Sequence, residues 1–171
     1  MRRPPTATPL ATLSADADVT TVSLAATPAV AEGGSITYTA TLDNPTETAL
    51  SLTLSNGAVI SSAAGASTGT ASFTAADDVH VDAASNYTVS IAASSGGNFE
   101  SLDTTATATT VISDDADVTT VTLAATPAVV EGGSFTYTAA HDNPAGKART
   151  DALSTEPVIN IAANGDRKSV V

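Results

Sequence analysis

Apolar and polar residues alternate with a period of two along most of the chain. Ile36, Tyr38, Ala40 and Leu42 alternate with Ser35, Thr37, Thr39 and Thr41. Leu50, Leu52 and Leu54 alternate with Ser51 and Thr53, and Tyr87, Val89, Ile91 and Ala93 with Thr88, Ser90 and Ala92. Val22 and Leu24 near the start, and Ala106 and Ala108 further on, follow the same rule. The pattern predicts half-buried antiparallel strands with one face in and one face out. Turn signals divide them: Glu32-Gly33-Gly34, Asp43-Asn44-Pro45, Ser55-Asn56-Gly57, Gly65, Gly69 and Gly96-Gly97. Asn56-Gly57 between two apolar runs predicts a hairpin. No segment carries a 3.6-residue period.

The pattern also recurs. Asp16–Pro45 and Asp115–Pro144 are identical at twenty-five of thirty positions, at an offset of 99 residues. That period is too long for a solenoid and suits tandem copies of a small domain. Thr6-Ala7-Thr8 falls on Thr105-Ala106-Thr107 and Ser14 on Ser113. Residues 1–14 therefore read as the end of a preceding copy, 15–113 as one complete copy, and 114–171 as a truncated, divergent second copy. Sequence identity fades after Pro144, although Val158-Ile159 still falls on Val59-Ile60. About seven short strands in ~99 residues predict an all-β, immunoglobulin-like β-sandwich in a tandem array. The core is light: several inward positions are Ala, and cysteine is absent, so no disulfide supports it.

Charge adds a second question. The 171 residues carry a net charge of −12. From Pro4 to Gly146 there are fifteen Asp and Glu and no Lys or Arg; basic residues return only at Lys147, which sets the expected limit of authentic repeat sequence. Two carboxylates 5 Å apart in water repel by roughly 0.8 kcal/mol. A fold that clusters them must protonate them, spread them or recruit a cation. The acidic balance argues against nucleic acid and anionic membrane surfaces as partners. No apolar run reaches the ~20 residues that span a bilayer, so direct membrane insertion is not expected. The start of the chain lacks the apolar region of a signal peptide.

Calcium (Ca2+) is the natural candidate cation, because it takes oxygen ligands and needs neither Cys nor His. The acids form four groups. Asp16 and Asp18 are echoed by Asp114, Asp115 and Asp117, and alternate residues of an extended segment can share an ion. Glu32 in Glu-Gly-Gly is echoed by Glu131. Asp77, Asp78 and Asp82 crowd a loop. Glu100 and Asp103 follow Gly96-Gly97. All are candidate metal ligands; acids at strand ends also serve as turn formers or caps, but the Asp77–Asp82 loop has no cation to offset it and the junction acids recur, which favours metal there. Asp43 reads as a turn residue and Glu47 as solvated. A salt-adapted surface is the alternative source of the charge, but such surfaces carry more acids.

Other chemistry is missing. His80 and His141 have no partners at zinc spacing. There is no Gly-x-Ser-x-Gly elbow, phosphate loop, EF-hand or glycine-rich calcium nonapeptide. The chain is not expected to be an enzyme.

Taken together, Val19–Leu24, Glu32–Thr39, Leu54–Gly57, Asp77–His80, Gly96–Glu100 and Thr109–Asp114 resemble the immunoglobulin-like tandem repeats of large bacterial RTX-type adhesins. His80 stands where that pattern has Tyr. The resemblance implies an extracellular, cell-surface spacer exported by type I secretion and active in biofilm or host adhesion. Its copies would be rigidified by calcium at their junctions, and its partners would be the neighbouring repeats. The adhesion target is left open. Two other readings stand beside it: a module binding polysaccharide or host glycan, and an accessory domain of a secreted enzyme.

Overall fold

The computed structural model describes residues 18–153, 158–161 and 167–170. The described residues are strands and their connections, with no helix among them. The strands are β1 (Val19–Ala26), β2 (Ala29–Ala31), β3 (Ser35–Leu42), β4 (Leu50–Leu54), β5 (Val59–Ser62), β6 (Thr68–Thr74), β7 (Ser85–Gly96), β8 (Ser101–Asp103) and β9 (Thr107–Ser113). They continue with β10 (Val121–Ala125), β11 (Tyr137–His141), β12 (Arg149–Ala152), β13 (Val158–Ile161) and β14 (Arg167–Val170). The fold is all-β, a curled multi-stranded sheet of the β-sandwich class, as the period-two pattern predicts. The segment 1–14 and Asp16 lie outside the described residues.

The chain forms two compact units. The first contains β1, β3–β6, most of β7, β8 and β9 as far as Thr110. Strand order there is β9-β7-β4-β5-β6-β3-β1-β8. β1 serves two partners: Val19–Thr21 runs parallel to β8, and Val22–Ala26 runs antiparallel to β3. Val22, Ile36, Tyr38, Ala40, Leu42, Leu50, Leu52, Leu54, Ile60 and Val89 are all buried, so every second residue of β3 and β4 faces inward. The Asn56-Gly57 hairpin forms as expected. Gly57 N–H donates to Leu54 O at 2.9 Å, and Asn56 Nδ2 donates to the buried Tyr38 hydroxyl at 3.2 Å, tying the turn to the core. The Phe73 and Tyr87 rings stack at 5.9 Å.

Two local expectations are corrected. Gly69 is not a turn residue but lies within β6, where a Cβ would come within 2.7 Å of Ser61 O and 2.8 Å of an Ile60 methyl; the missing side chain permits that approach. Ala93 does not continue the inward series of β7. The ladder to β4 shifts between Thr53 and Leu54, which oppose Ala93 and Ile91, so Ala92 is an extra residue and Ala93 turns outward.

The second unit contains β2, the segment Ala75–Ser85, the last residues of β9 and β10–β14. β2 runs parallel to Val111–Ser113. β10-β11-β14 form one sheet and β12-β13 another. Identity with the first copy fades after Pro144, yet the strand pairing does not. Tyr137 faces Val170 as Tyr38 faces Ala71, and Asp151 faces Ile159 as Leu52 faces Ile60. The offset of 99 therefore persists in the register to Val170, beyond the limit that the returning basic residues suggest. Ala139, Ile159 and Ile161 form the core, with Tyr137, Ala145 and Leu153 packed against it.

Candidate metal centre

Three backbone hydrogen bonds from two segments fix the Glu32-Gly33-Gly34 turn within the second unit. Parallel pairing of β2 with β9 lets Glu32 N–H donate to Ser113 O at 2.9 Å. Gly33 N–H reaches Ala76 O at 3.4 Å, and Ala75 N–H returns a bond to Gly34 O at 2.9 Å. Gly33 has φ +65°, and the Asp77 carboxyl lies 3.4 Å from where its Cβ would be. Glycine there avoids left-handed strain and lets the acid lie against the turn.

The result is a cluster of acids distant in sequence. One carboxylate oxygen from each of Glu32, Asp77 and Asp115 lies within 4.8 Å of the others. Asp114 Oδ1 accepts the Asp82 N–H at 3.1 Å, and Asp78 Oδ1 accepts the His80 N–H at 2.7 Å. Burial raises the Glu32 carboxyl above the usual range; Asp78, Asp114 and Asp82 add to the rise, and a backbone hydrogen bond from Asp78 opposes it. Asp117 is raised likewise, first by burial and then by Asp115, Asp77, Asp114 and Asp78. Glu32 Oε2 is buried and has no hydrogen-bond partner.

Three of the four groups read from the sequence are thus one group in the fold: the junction acids Asp114, Asp115 and Asp117, Glu32, and the loop Asp77, Asp78 and Asp82. The remaining candidates lie elsewhere. In the first unit Asp18 N–H donates to Glu100 Oε2 at 3.0 Å, in a cleft of ≈ 470 Å³ that Asn44, Glu47 and Asn98 also line. Glu47 is exposed but not merely solvated, because Asn98 Nδ2 donates to its carboxylate. Asp103 Oδ1 accepts Thr105 N–H at 3.0 Å, which holds its carboxyl below the usual range. Glu131 is exposed and joins no group of three acids among the described residues. Asp43 is the expected turn residue: its Oδ1 accepts Thr21 N–H at 2.9 Å. Its counterpart Asp142 accepts Thr120 N–H at 2.9 Å.

The donor set decides which cation suits the cluster. Three carboxylates without Cys or His at the cluster suit a hard, oxygen-seeking cation rather than zinc. A bare buried carboxylate oxygen is costly unless it meets a proton, a donor or a cation. Glu32 Oε2 fits a cation ligand, and calcium accommodates irregular oxygen sets most readily.

His141 is buried, and its Nε2 lies 3.1 Å from Asp151 Oδ2, while Arg149 Nε donates to Asp151 Oδ1 at 2.7 Å. This is a polar network running from the buried His141 to the exposed Arg149, rather than a zinc site.

The LapA domain family model matches residues 18–115 and, separately, residues 117–170. No curated protein matches the chain.

Proposed function

The chain belongs to the LapA domain family of large biofilm-associated adhesins, which makes it a module of a non-enzymatic, cell-surface adhesin family, and from that premise we propose that it is a calcium-stabilised extender. The observation that carries the reading is the buried, unpartnered Glu32 Oε2 beside the oxygens of Asp77 and Asp115. An ion there links three segments: the end of β2, the loop after β6, and the stretch leading from one sequence copy into the next. Fixing that stretch turns a chain of repeats into a stiff spacer.

Extracellular calcium modules bind at about 10⁻⁴–10⁻³ M, so calcium at the cell exterior fills such a site while cytosolic levels leave it empty. Free calcium at ten times the dissociation constant adds about 1.4 kcal/mol to the folded state. A repeat that is weak inside the cell and firm outside suits export as an unfolded chain by type I secretion.

Calorimetric titration of calcium into the full chain and into Glu32→Gln tests the reading. Saturable binding by the parent chain, weakened by Glu32→Gln, is the expected result. Identical titrations for both chains would remove Glu32 from the site, and no binding heat at millimolar calcium would end the proposal.

A further inference from the structure

In the first unit the turn between β4 and β5 holds the reactive groups of Asn56-Gly57 apart. Leu54 and Ala58 bracket a three-residue loop: Leu54 N–H donates to Ala58 O at 2.8 Å, and Gly57 N–H to Leu54 O at 2.9 Å. Gly57 has φ +84° and supplies the left-handed residue that closes such a loop. The Asn56 side chain is pinned at both ends. Its Oδ1 accepts the Ala58 N–H at 3.1 Å, and its Nδ2 donates to the Tyr38 hydroxyl at 3.2 Å. Tyr38 is 1% exposed, so the amide caps a buried phenol. Gly57 is exposed, with nothing within 4 Å of where its Cβ would be, so solvent reaches the turn.

We propose that Asn56 is a modification site guarded by the fold, which deamidates when this turn opens. Glycine has no side chain to shield its nitrogen, and its backbone rotates freely enough to bring that nitrogen onto the preceding side chain. In the reaction Gly57 N attacks Asn56 Cγ, the N–H proton leaves with the amide nitrogen as ammonia, and a cyclic succinimide forms. Water then opens the ring at either carbonyl, giving Asp or isoaspartate at position 56. No oxidant or reductant enters. In the closed turn Gly57 N–H is engaged by Leu54 O, and the amide by Tyr38 and Ala58, so the attack waits for these three bonds to break. That opening is local, and its free energy sets how rarely the reactive geometry arises. Isoaspartate routes the chain through its Cβ. It lengthens the backbone of a loop that fits three residues, and it removes the amide that caps Tyr38. A chain that stays unfolded therefore loses this hairpin with time, whereas a chain that folds promptly keeps it. The device needs no ion and stands apart from the calcium reading.

The test ages the full chain at mildly alkaline pH, folded and in urea, while peptide mass spectrometry locates the amide-to-acid conversion and separates its two products. Expected are conversion at Asn56 in urea and conversion roughly tenfold or more slower in the folded chain. Tyr38→Phe keeps the ring but removes the acceptor of the amide, and should raise the folded rate. Amide exchange on β3 distinguishes a loosened turn in that variant from an unfolded unit. Returned from urea, the isoaspartyl fraction should lose exchange protection on β4 and β5. Asn56→Asp should keep it, because a carboxylate at that place still accepts from Ala58 N–H and from the Tyr38 hydroxyl. Equal rates in the folded and unfolded chains, no conversion at Asn56 in urea, a folded rate indifferent to Tyr38→Phe, or full protection of the isoaspartyl fraction would each overturn the proposal.

Discussion

The cores of the two units use one backbone plan with different chemistry. In the first, Leu42, Leu50 and Leu52 are buried among other aliphatic residues. At the same three positions the second unit has His141, Arg149 and Asp151, joined into a network in which the Asp151 carboxylate contacts both neighbours. The register of β12 with β13 nevertheless repeats that of β4 with β5 at each paired residue. Strand pairing therefore tolerates replacing buried leucines by a hydrogen-bonded polar network that opens to solvent at Arg149. His141 and Asp151 are largely buried and meet each other, whereas Arg149 is 57% exposed and keeps its charge in water.

Moving one polar residue without its companions should break this comparison most severely. Leu52→Asp places a carboxylate where the neighbours are leucines, and is expected to cost roughly 3–5 kcal/mol, unfolding the first unit under mild denaturant. Amide hydrogen exchange on β3 and β4 reads that unit separately from the other. In the second unit Asp151→Ala leaves the buried His141 without its partner, and should cost about 1–3 kcal/mol by protection of β11 and β13. The double change His141→Leu and Asp151→Leu should recover most of that loss, because these two side chains are largely buried while Arg149 is exposed and needs no buried partner. A double variant no better than Asp151→Ala would show that the two cores are not interchangeable.

Acid should separate the regions by the sign of their response. Asp151 is held low, first by its hydrogen bond from Arg149, so its contribution is present above the unfolded value and is lost as pH falls through the folded one. Glu32 and Asp117 are raised, so in metal-free protein their contribution is full below the unfolded value and lost as pH rises through the folded one. Acidification from neutral should therefore first firm the Glu32 turn, and then, below the usual carboxylate range of about 4, loosen β12 and β13. Exchange protection measured across that range checks the order. The smallest effect belongs to a feature the copies share. Asp43→Ala and Asp142→Ala each remove the acceptor of one backbone N–H, and should lower exchange protection slightly and to a similar degree in the two units.

The fold was readable because period-two alternation, the Asn56-Gly57 turn and the 99-residue offset are all written in residue types. The site was readable only in pieces. Glu32, Asp77 and Asp115 stand out by the absence of basic residues, but what joins them is the parallel pairing of β2 with β9, a contact across some eighty residues that alternation cannot report. The bulge at Ala92 is invisible for a related reason, since nothing in its own side chain marks an unpaired residue. The second core misleads in the opposite direction. Arg149 and Asp151 interrupt the apolar pattern, and taken one at a time they signal the end of a repeat; only the contact of Asp151 with both His141 and Arg149 makes sense of them. Glu47 gave no signal, because its partner Asn98 comes from a distant turn.

Thermal unfolding of the full chain, recorded in millimolar calcium and again in excess chelator at neutral pH, tests the central claim most directly. Calcium filling a site built on Glu32, Asp77 and Asp115 predicts a higher Tm with the ion, a lower one with chelator, and a smaller gap in Glu32→Gln. Superimposable curves with and without calcium would contradict it.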